Sequence, residues 1–433
     1  MDDLRATCAT FDGEALISQL AALSAIGLSA DGGVTRTSFS KEFVAGRDLV
    51  ASYCSDAGLS VRIDPLGNLI AESEPKDLAK PAIIVGSHLD TVVEAGLLDG
   101  AYGVIAGLGA IAAIKRAGIN LSHRLVLAGF INEEGADGTA AMLGSKACVG
   151  RIGPDDLNER DMYGTSVRDL VAGIGGDPKR YQEADLSPNG AIAAYLELHI
   201  EQGPVLERAG MGIGIVTAIT GRVLLDIECT GVASHAGTTP MLGRADALVA
   251  AARIVTEIDD IARRGVTRVG TAGVLEITGA ARNTIPGRVR VAAEFRDDDT
   301  ASMENALGQL RNFAQELSSS SGVPIAIHVL DTVKPCPTDP LLRQALIQAT
   351  ESYGLKHLAL SSGAGHDAQS FYGRAPIGMI FVPSLGGISH SAKEATADDE
   401  LIAGGAVLAG AIVAVDRALV GSPERSGVAG GQA

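Results

Sequence analysis

The hydropathy pattern predicts an α/β fold: a mixed, largely parallel sheet flanked by helices and interrupted by an inserted β-α-β-β-α-β domain. Three observations predict it. Apolar strand-like runs alternate with helical patterns through the first half of the chain. The order changes after Gly214. The α/β alternation then resumes after Pro340.

In chain order, Glu14 to Ala25 and Lys41 to Ala57 carry apolar residues at helical spacing, and Leu59 to Ile63 and Asn68 to Ala71 read as strands. Pro81 to Val85 is a short apolar run, the mark of a buried strand. Tyr102 to Ala117 follows as a helix whose Gly103, Gly107 and Gly109 permit close packing, and Arg124 to Phe130 as the next strand. From Val223 the order is strand (223–229), helix (245–264), strand (271–278), strand (288–295), helix (303–317) and strand (325–329). The first of these helices aligns Leu248, Ala252, Val255, Ile258 and Ala262; the second aligns Met303, Leu307, Leu310, Phe313 and Leu317. That order is the split βαβ, or ferredoxin-like, arrangement. A helix (341–353), the strand Ile377 to Val382 and a helix from Asp398 complete the chain. The expected division is a main domain in two parts (1–215 and 333–420), an inserted domain (216–332) and a Gly/Ser-rich, disordered tail (421–433).

A chain of 433 residues, 46% hydrophobic, has the material for a large core and more than one domain. Its net charge of −17 argues against broad binding to nucleic acid or acidic lipid, which calls for a basic surface. With no Trp and 3% aromatics it also lacks stacking platforms for single strands. No basic segment leads an apolar core at Met-Asp-Asp-Leu-Arg, so a cytoplasmic protein without a secretory signal is expected. The apolar stretch Leu401 to Val415 is shorter than the ~20 residues that span a bilayer and reads as a buried helix. Cys8, Cys54, Cys148, Cys229 and Cys336 are scattered and read as reduced thiols.

Chemistry-bearing residues gather where apolar strands end. His88 and Asp90 leave the same face if strand geometry persists, so Asp90 would accept the imidazole N–H and fix which nitrogen His88 offers. Alone, such a pair is more often a capped strand end. Asp99-Gly100 shifts the balance, because a carboxylate just before a helix is placed to bridge two cations. Glu133 and Glu134 repel each other unless a cation or proton separates their roles: one binds metal, the other deprotonates a water. A solvated acidic turn explains them as well in isolation, but strand ends are where open α/β sheets place ligands.

His199 lies in an alternating stretch with Glu197 and Glu201 on its face, which a polar sheet face also explains, and His390 follows the strand 377–382. Taken together, these histidines become plausible ligands. His235 sits in a Gly/Ser/Thr turn and by itself is an ordinary surface group. Asn283 precedes Pro286-Gly287, and spacing does not separate Arg296 from Arg288 and Arg290 on its strand. Gly363-Ala-Gly365-His366-Asp367 lines a pocket or merely turns the chain, and His123, His328 and His357 read as structural. No nucleophile elbow, phosphate loop or dinucleotide fingerprint is present.

The set Gly86-Ser-His-Leu-Asp-Thr91, Leu98-Asp-Gly100, Asn132-Glu-Glu-Gly135, Glu197 to Pro204, His235 to Met241, Asn283 to Gly287, Ser362 to Ala368 and Ile388-Ser-His390 resembles the dinuclear zinc aminoacylase/carboxypeptidase superfamily. Within it, the resemblance is to the amidase and carbamoylase branch of N-carbamoyl-L-amino acid amidohydrolases, β-ureidopropionases and allantoate amidohydrolases. It implies a di-zinc exopeptidase-like catalytic domain with an inserted lid and dimerisation domain. The implied activity is hydrolysis of a linear amide C–N bond, not a peptide bond, in an N-carbamoyl-L-amino acid or related ureido acid. Allantoate is the nearest alternative. A dipeptide or N-acyl amino acid, and more remotely a non-catalytic binding protein, come next.

The resemblance further implies two divalent metal ions per subunit: Zn2+ first, with Mn2+, Co2+ or Ni2+ as alternatives. His88 and His199 would hold one and Glu134 and His390 the other, with Asp99 bridging. Two cations roughly 3.5–4 Å apart lower the pKa of a bridging water, for which Glu133 would be the general base. Asp90 would support His88. Gln202, Gly365 and His366 would meet the substrate, and Asn283 and Arg296 would grip its carboxylate. His235, from the neighbouring subunit of a homodimer, would steady the oxyanion. The small-molecule substrate is the expected partner, with neither nucleic acid nor membrane. The chain departs from many relatives at Leu98, where an aromatic residue is common, and at Ala136-Asp137-Gly138, where Arg-Phe is common.

Overall fold

A computed structural model describes residues 2–73, 80–188 and 191–421. The chain divides into two compact units. One comprises Met1–Thr217, Thr338–Leu360 and Gly365–Ala433; the other comprises Ala218–Pro337 and Ser361–Ala364. Of the expected tail, residues 422–433 lie outside the described residues.

Along the chain, the strands are β1 (Ser60–Ile63), β2 (Leu69–Glu72), β3 (Ala82–His88), β4 (Arg124–Phe130), β5 (Ile192–Ile200) and β6 (Ile213–Ile219), then β7 (Gly221–Thr230), β8 (Ser234–His235), β9 (Val269–Thr278), β10 (Thr284–Ile285), β11 (Arg288–Asp297) and β12 (Ile325–Val333), and last β13 (Cys336–Pro337), β14 (His357–Ser362) and β15 (Ile377–Val382). The first unit is built on a sheet in the order β1-β2-β4-β3-β5-β15-β6, with β14 also against β6. Its centre is parallel: β3 pairs in parallel with β4 and β5, and β15 with β5. The flanks, β1 on β2, β2 on β4 and β6 on β15, are antiparallel. The expected mixed, largely parallel sheet is present.

Burial explains the near-continuous apolar runs. Every residue of β3 is buried, Ile83 and Val85 facing one large core together with the helices Ala101–Arg116 and Asp398–Val420. Gly103 is required in the first of these helices, because a Cβ there would lie 2.3 Å from the Leu198 carbonyl of β5. The helix Asp398–Val420 is longer than the sequence pattern indicated and apolar enough in composition to cross a bilayer, yet most of its apolar stretch is buried inside the unit. The short helices of 143–184 form a satellite cluster around Leu143, Leu157 and Val171, with no long apolar run of their own.

The second unit has an antiparallel sheet in the order β12-β7-β11-β9, with helices Ala247–Arg263 and Thr300–Ser321 packed on one face. The first of these helices is rotated from the expected stripe. Ala247, Ala250, Ala251, Ile254, Ile258 and Ile261 are buried, while Leu248 and Val255 flank them. Three alanines at the seam let the helix lie close to the sheet, and the larger side chains move to its edges. Cys8, Cys54, Cys148 and Cys229 are buried free thiols.

Candidate metal centre

The four parallel strands β4, β3, β5 and β15 lead into one cluster at or just beyond their C-terminal ends. His88 is the last residue of β3, opposite Phe130 of β4, and His199 is the penultimate residue of β5, opposite Phe381 of β15. Glu133 and Glu134 follow β4, and His390 lies in the loop after β15. Ligand sites in open α/β sheets lie at such strand ends.

Asp99 is the hub. Its Oδ1 is 3.3 Å from His88 Nε2 and 3.2 Å from His199 Nε2, while its Oδ2 is 3.3 Å from His390 Nε2. Gly100 follows with φ +65°, and a Cβ there would lie 2.4 Å from the His88 ring, so only glycine brings the carboxylate this close. His390 Nε2 is also 3.4 Å from Glu134 Oε1, a buried oxygen without a hydrogen bond. Two donor sets result, His88–Asp99–His199 and Asp99–Glu134–His390, each with ligand atoms within 4.8 Å of one another, and they share Asp99. The orphaned Glu134 oxygen and the imidazole and carboxylate donors fit a pair of divalent cations.

The electrostatics point the same way. Burial alone would raise the Asp99 carboxyl, but the imidazoles of His199, His390 and His88 hold it well below the usual range. Burial opposes charge on His88 and His199, yet Asp99 raises both, helped at His88 by Glu133 and Asp90 and at His199 by Glu197. His390 is raised to about 9, chiefly by its bond to Asp99. Burial, reinforced by neighbouring carboxylates, lifts Glu134 to about 7 and Glu133 well above the carboxylate range. This negative centre calls for positive charge, which divalent cations supply better than protons.

Asp90 acts differently from the expectation. The strand ends at His88, so the alternating-face rule no longer holds two residues on. His88 Nδ1 donates to the Asp90 backbone carbonyl at 2.9 Å, while the carboxylate is 3.9 Å away. The Asp90 carboxylate instead accepts the backbone N–H of Glu133 and of Glu134, both at 3.2 Å, and the Ser38 hydroxyl at 3.0 Å. It holds the turn bearing both glutamates. His199 is set likewise, its Nδ1 donating to the Ile200 carbonyl at 2.9 Å.

The polar face that Glu197, His199 and Glu201 share is buried. Glu197 accepts from Ser87, Tyr195 and the Ala368 N–H, and Glu201 caps Val205 and Leu206. Gln202 has φ +57° and donates from Nε2 to Asp99 Oδ2 at 2.7 Å. His366 is buried edge-on against the His199 ring at 4.7 Å, and Gly365 precedes it. His235 and Asn283 belong to the second unit, where β8 and β10 pair them through Thr284 and the Ala236–Asn283 backbone bond. Arg296, in the same unit, pairs with Glu294 at 2.8 Å and donates to the Gly363 carbonyl. Sequence reasoning missed Arg36, Ser38, Ser389 and Glu394, each of which has a partner 52 to 296 residues away.

Residues 84–414 match the model of peptidase family M20/M25/M40. The chain belongs to this family. Within M20 it falls in the amidase and carbamoylase branch and is a hydrolase, as the motifs led us to expect. It is 38% identical over 396 residues to the N-carbamoyl-L-amino acid amidohydrolase of Geobacillus stearothermophilus, covering 92% of this chain and 97% of that one. It is 35% identical over 399 residues to the allantoate amidohydrolase of Escherichia coli K12, covering 92% and 96%. The crystal structure of a hydantoinase/carbamoylase family amidase from Burkholderia ambifaria superposes with a TM-score of 0.86 at 37% identity, over 94% of this M20 chain and 98% of that one.

Proposed function

We propose that the chain is a two-metal amidohydrolase that cleaves the linear amide C–N bond of an N-carbamoyl-L-amino acid or a close ureido acid. The observation that most supports this is Asp99, whose two oxygens face different histidines and so belong to two donor sets at once. The names of the relatives support the substrate class, with allantoate as the second reading. In this reading His88, His199 and Asp99 hold one divalent cation and Asp99, Glu134 and His390 the other, Zn2+ first and Mn2+ next. Such a pair, when bound, acidifies water and polarises a carbonyl.

Glu133 is the proton carrier. Its carboxylate takes a proton from the attacking water and returns it to the leaving nitrogen, a role suited to a buried carboxyl within reach of His88 and Glu134. Asp90 holds the Glu133–Glu134 backbone in place. Gln202, Gly365 and His366 orient the amide or ureido end, and Arg296 and Asn283 bind the carboxylate. We assign His235 to the oxyanion of a partner subunit, which makes the enzyme a homodimer through its second unit.

The test is metal-reconstituted protein offered N-carbamoyl, allantoate, N-acyl and dipeptide substrates, with ammonia and amine release followed. Fastest turnover of N-carbamoyl-L-amino acids is expected. No release from any substrate with two metals bound would overturn the reading. Sedimentation showing a monomer would remove the role given to His235.

A further inference from the structure

Glu394 lies four residues after His390 and is 5% exposed. Its Oε1 accepts the backbone N–H of Leu98 at 2.9 Å and of Asp99 at 3.1 Å. Its Oε2 accepts the hydroxyl of Ser389 at 2.7 Å, and that hydroxyl is also 3.0 Å from Asp99 Oδ2. The Glu394 N–H donates to the Ser391 carbonyl at 2.9 Å and closes the turn that directly follows His390. One side chain therefore joins two segments nearly 300 residues apart in sequence, one carrying Asp99 and the other His390.

The space for this carboxylate is reserved. A Cβ at Gly96 would fall 2.2 Å from Glu394 Oε1 and 2.3 Å from its Cβ and Cδ. The Leu98 and Asp99 N–H groups lie in the buried loop just ahead of helix Ala101–Arg116, where a side-chain acceptor satisfies donors that neither water nor the helix would. Bonds from N–H to a carboxylate are stronger than neutral ones and fix the loop direction.

We propose that Glu394 is a positioning residue for the metal pair: it sets Asp99 and His390 relative to each other and so governs affinity for the cation held by Asp99, Glu134 and His390. This rests on the two-metal reading above. Groups that orient ligands without touching metal typically contribute about 10–100-fold in affinity.

The experiment measures binding of Zn2+ alone, by competition with a chromogenic chelator, to wild-type protein and to Glu394→Ala, Glu394→Gln and Gly96→Ala variants. Melting of each metal-free variant is followed alongside. Glu394→Ala should weaken the second Zn2+ roughly 10–100-fold and the first much less. Glu394→Gln should recover most of the loss, since its oxygen still accepts both N–H groups and its NH2 can donate to Ser389. Gly96→Ala should reproduce Glu394→Ala by displacing an intact Glu394.

A carboxylate serving only the fold would lower metal-free melting and leave Zn2+ affinity unchanged, which would overturn the proposal. So would wild-type affinity in Gly96→Ala, even if Glu394→Ala does not fold. Wild-type protein that binds fewer than two Zn2+ per chain would instead remove the two-metal reading, and this inference with it.

Discussion

The strand ends of the first unit and the open sheet face of the second are both rich in charged side chains, but they treat charge in opposite ways. Around the strand ends His88, Asp99, His199 and Glu133 are buried; backbone carbonyls orient the two histidines, and the Glu394 carboxylate accepts the Asp99 N–H. On the second unit's sheet Arg288 pairs with Glu228, and Arg290 with Asp226 and Glu276, in a solvated ladder. Buried charge is costly unless it is paired, so it persists where it serves chemistry; solvated pairs contribute little and are replaceable. The contrast teaches that burial, more than residue type, separates a site from a surface.

The largest effect should come from the base. Glu133→Ala should lower turnover roughly a hundredfold to ten-thousandfold while Zn2+ content, read by elemental analysis, stays at the wild-type value. Unchanged turnover would assign the proton transfer elsewhere.

Next is Arg36, 1% exposed, whose guanidinium donates to the carbonyls of Leu89, Leu23 and Ile26. Burial pushes its pKa down to about 10, opposed by the charge of Asp90. Arg36→Met would strand three carbonyls and remove a buried positive charge that Asp90 favours. A loss of roughly 3–5 kcal/mol is expected in denaturant unfolding followed by circular dichroism. A loss under about 1 kcal/mol would mean that water or another group takes over those partners.

Smaller again is Asp90→Asn. An amide has one acceptor oxygen where the carboxylate has two, so either the Glu133 or the Glu134 N–H would face an NH2 group. Metal affinity or turnover should fall about 10–100-fold. If it does not, the turn bearing the two glutamates holds its shape without Asp90.

The range of each interaction decided what the sequence revealed. β3, β4, β15 and the long helices were legible because apolar runs carry a local signal, and His88, Asp99, Glu133, Glu134, His199 and His390 were legible because they follow those runs or, like Asp99, lead into a helix. β6 and β14 were not, although they are no shorter than β15, because Gly214 and Thr217 in one and His357 and Ser361 in the other interrupt the apolar run. The carboxylate of Asp90 was misplaced because the alternating-face rule was carried past the end of its strand. Arg36 and Glu394 left no local trace at all. Their partners at Leu89 and Asp99 lie 53 and 295 residues away, and nothing in a stretch such as Val34-Thr-Arg36-Thr announces a buried guanidinium.

The smallest expected effect tests the other side of the comparison. Arg290 sits on β11 between Asp226 of β7 and Glu276 of β9, bonded to them at 2.6 and 3.2 Å, and its pairing raises its own pKa. The geometry resembles that of a functional cluster: three charged groups, close contacts and a central strand. What differs is solvent. Water competes for every one of these bonds and salt screens them, so Arg290→Ala should leave thermal unfolding and Zn2+ affinity unchanged within error, at low and at high ionic strength. Turnover should be unchanged too, because Arg290 has been given no part in binding the substrate. A loss of carboxylate affinity in Arg290→Ala, with Arg296→Ala silent, would show that the guanidinium was assigned to the wrong rung of the ladder.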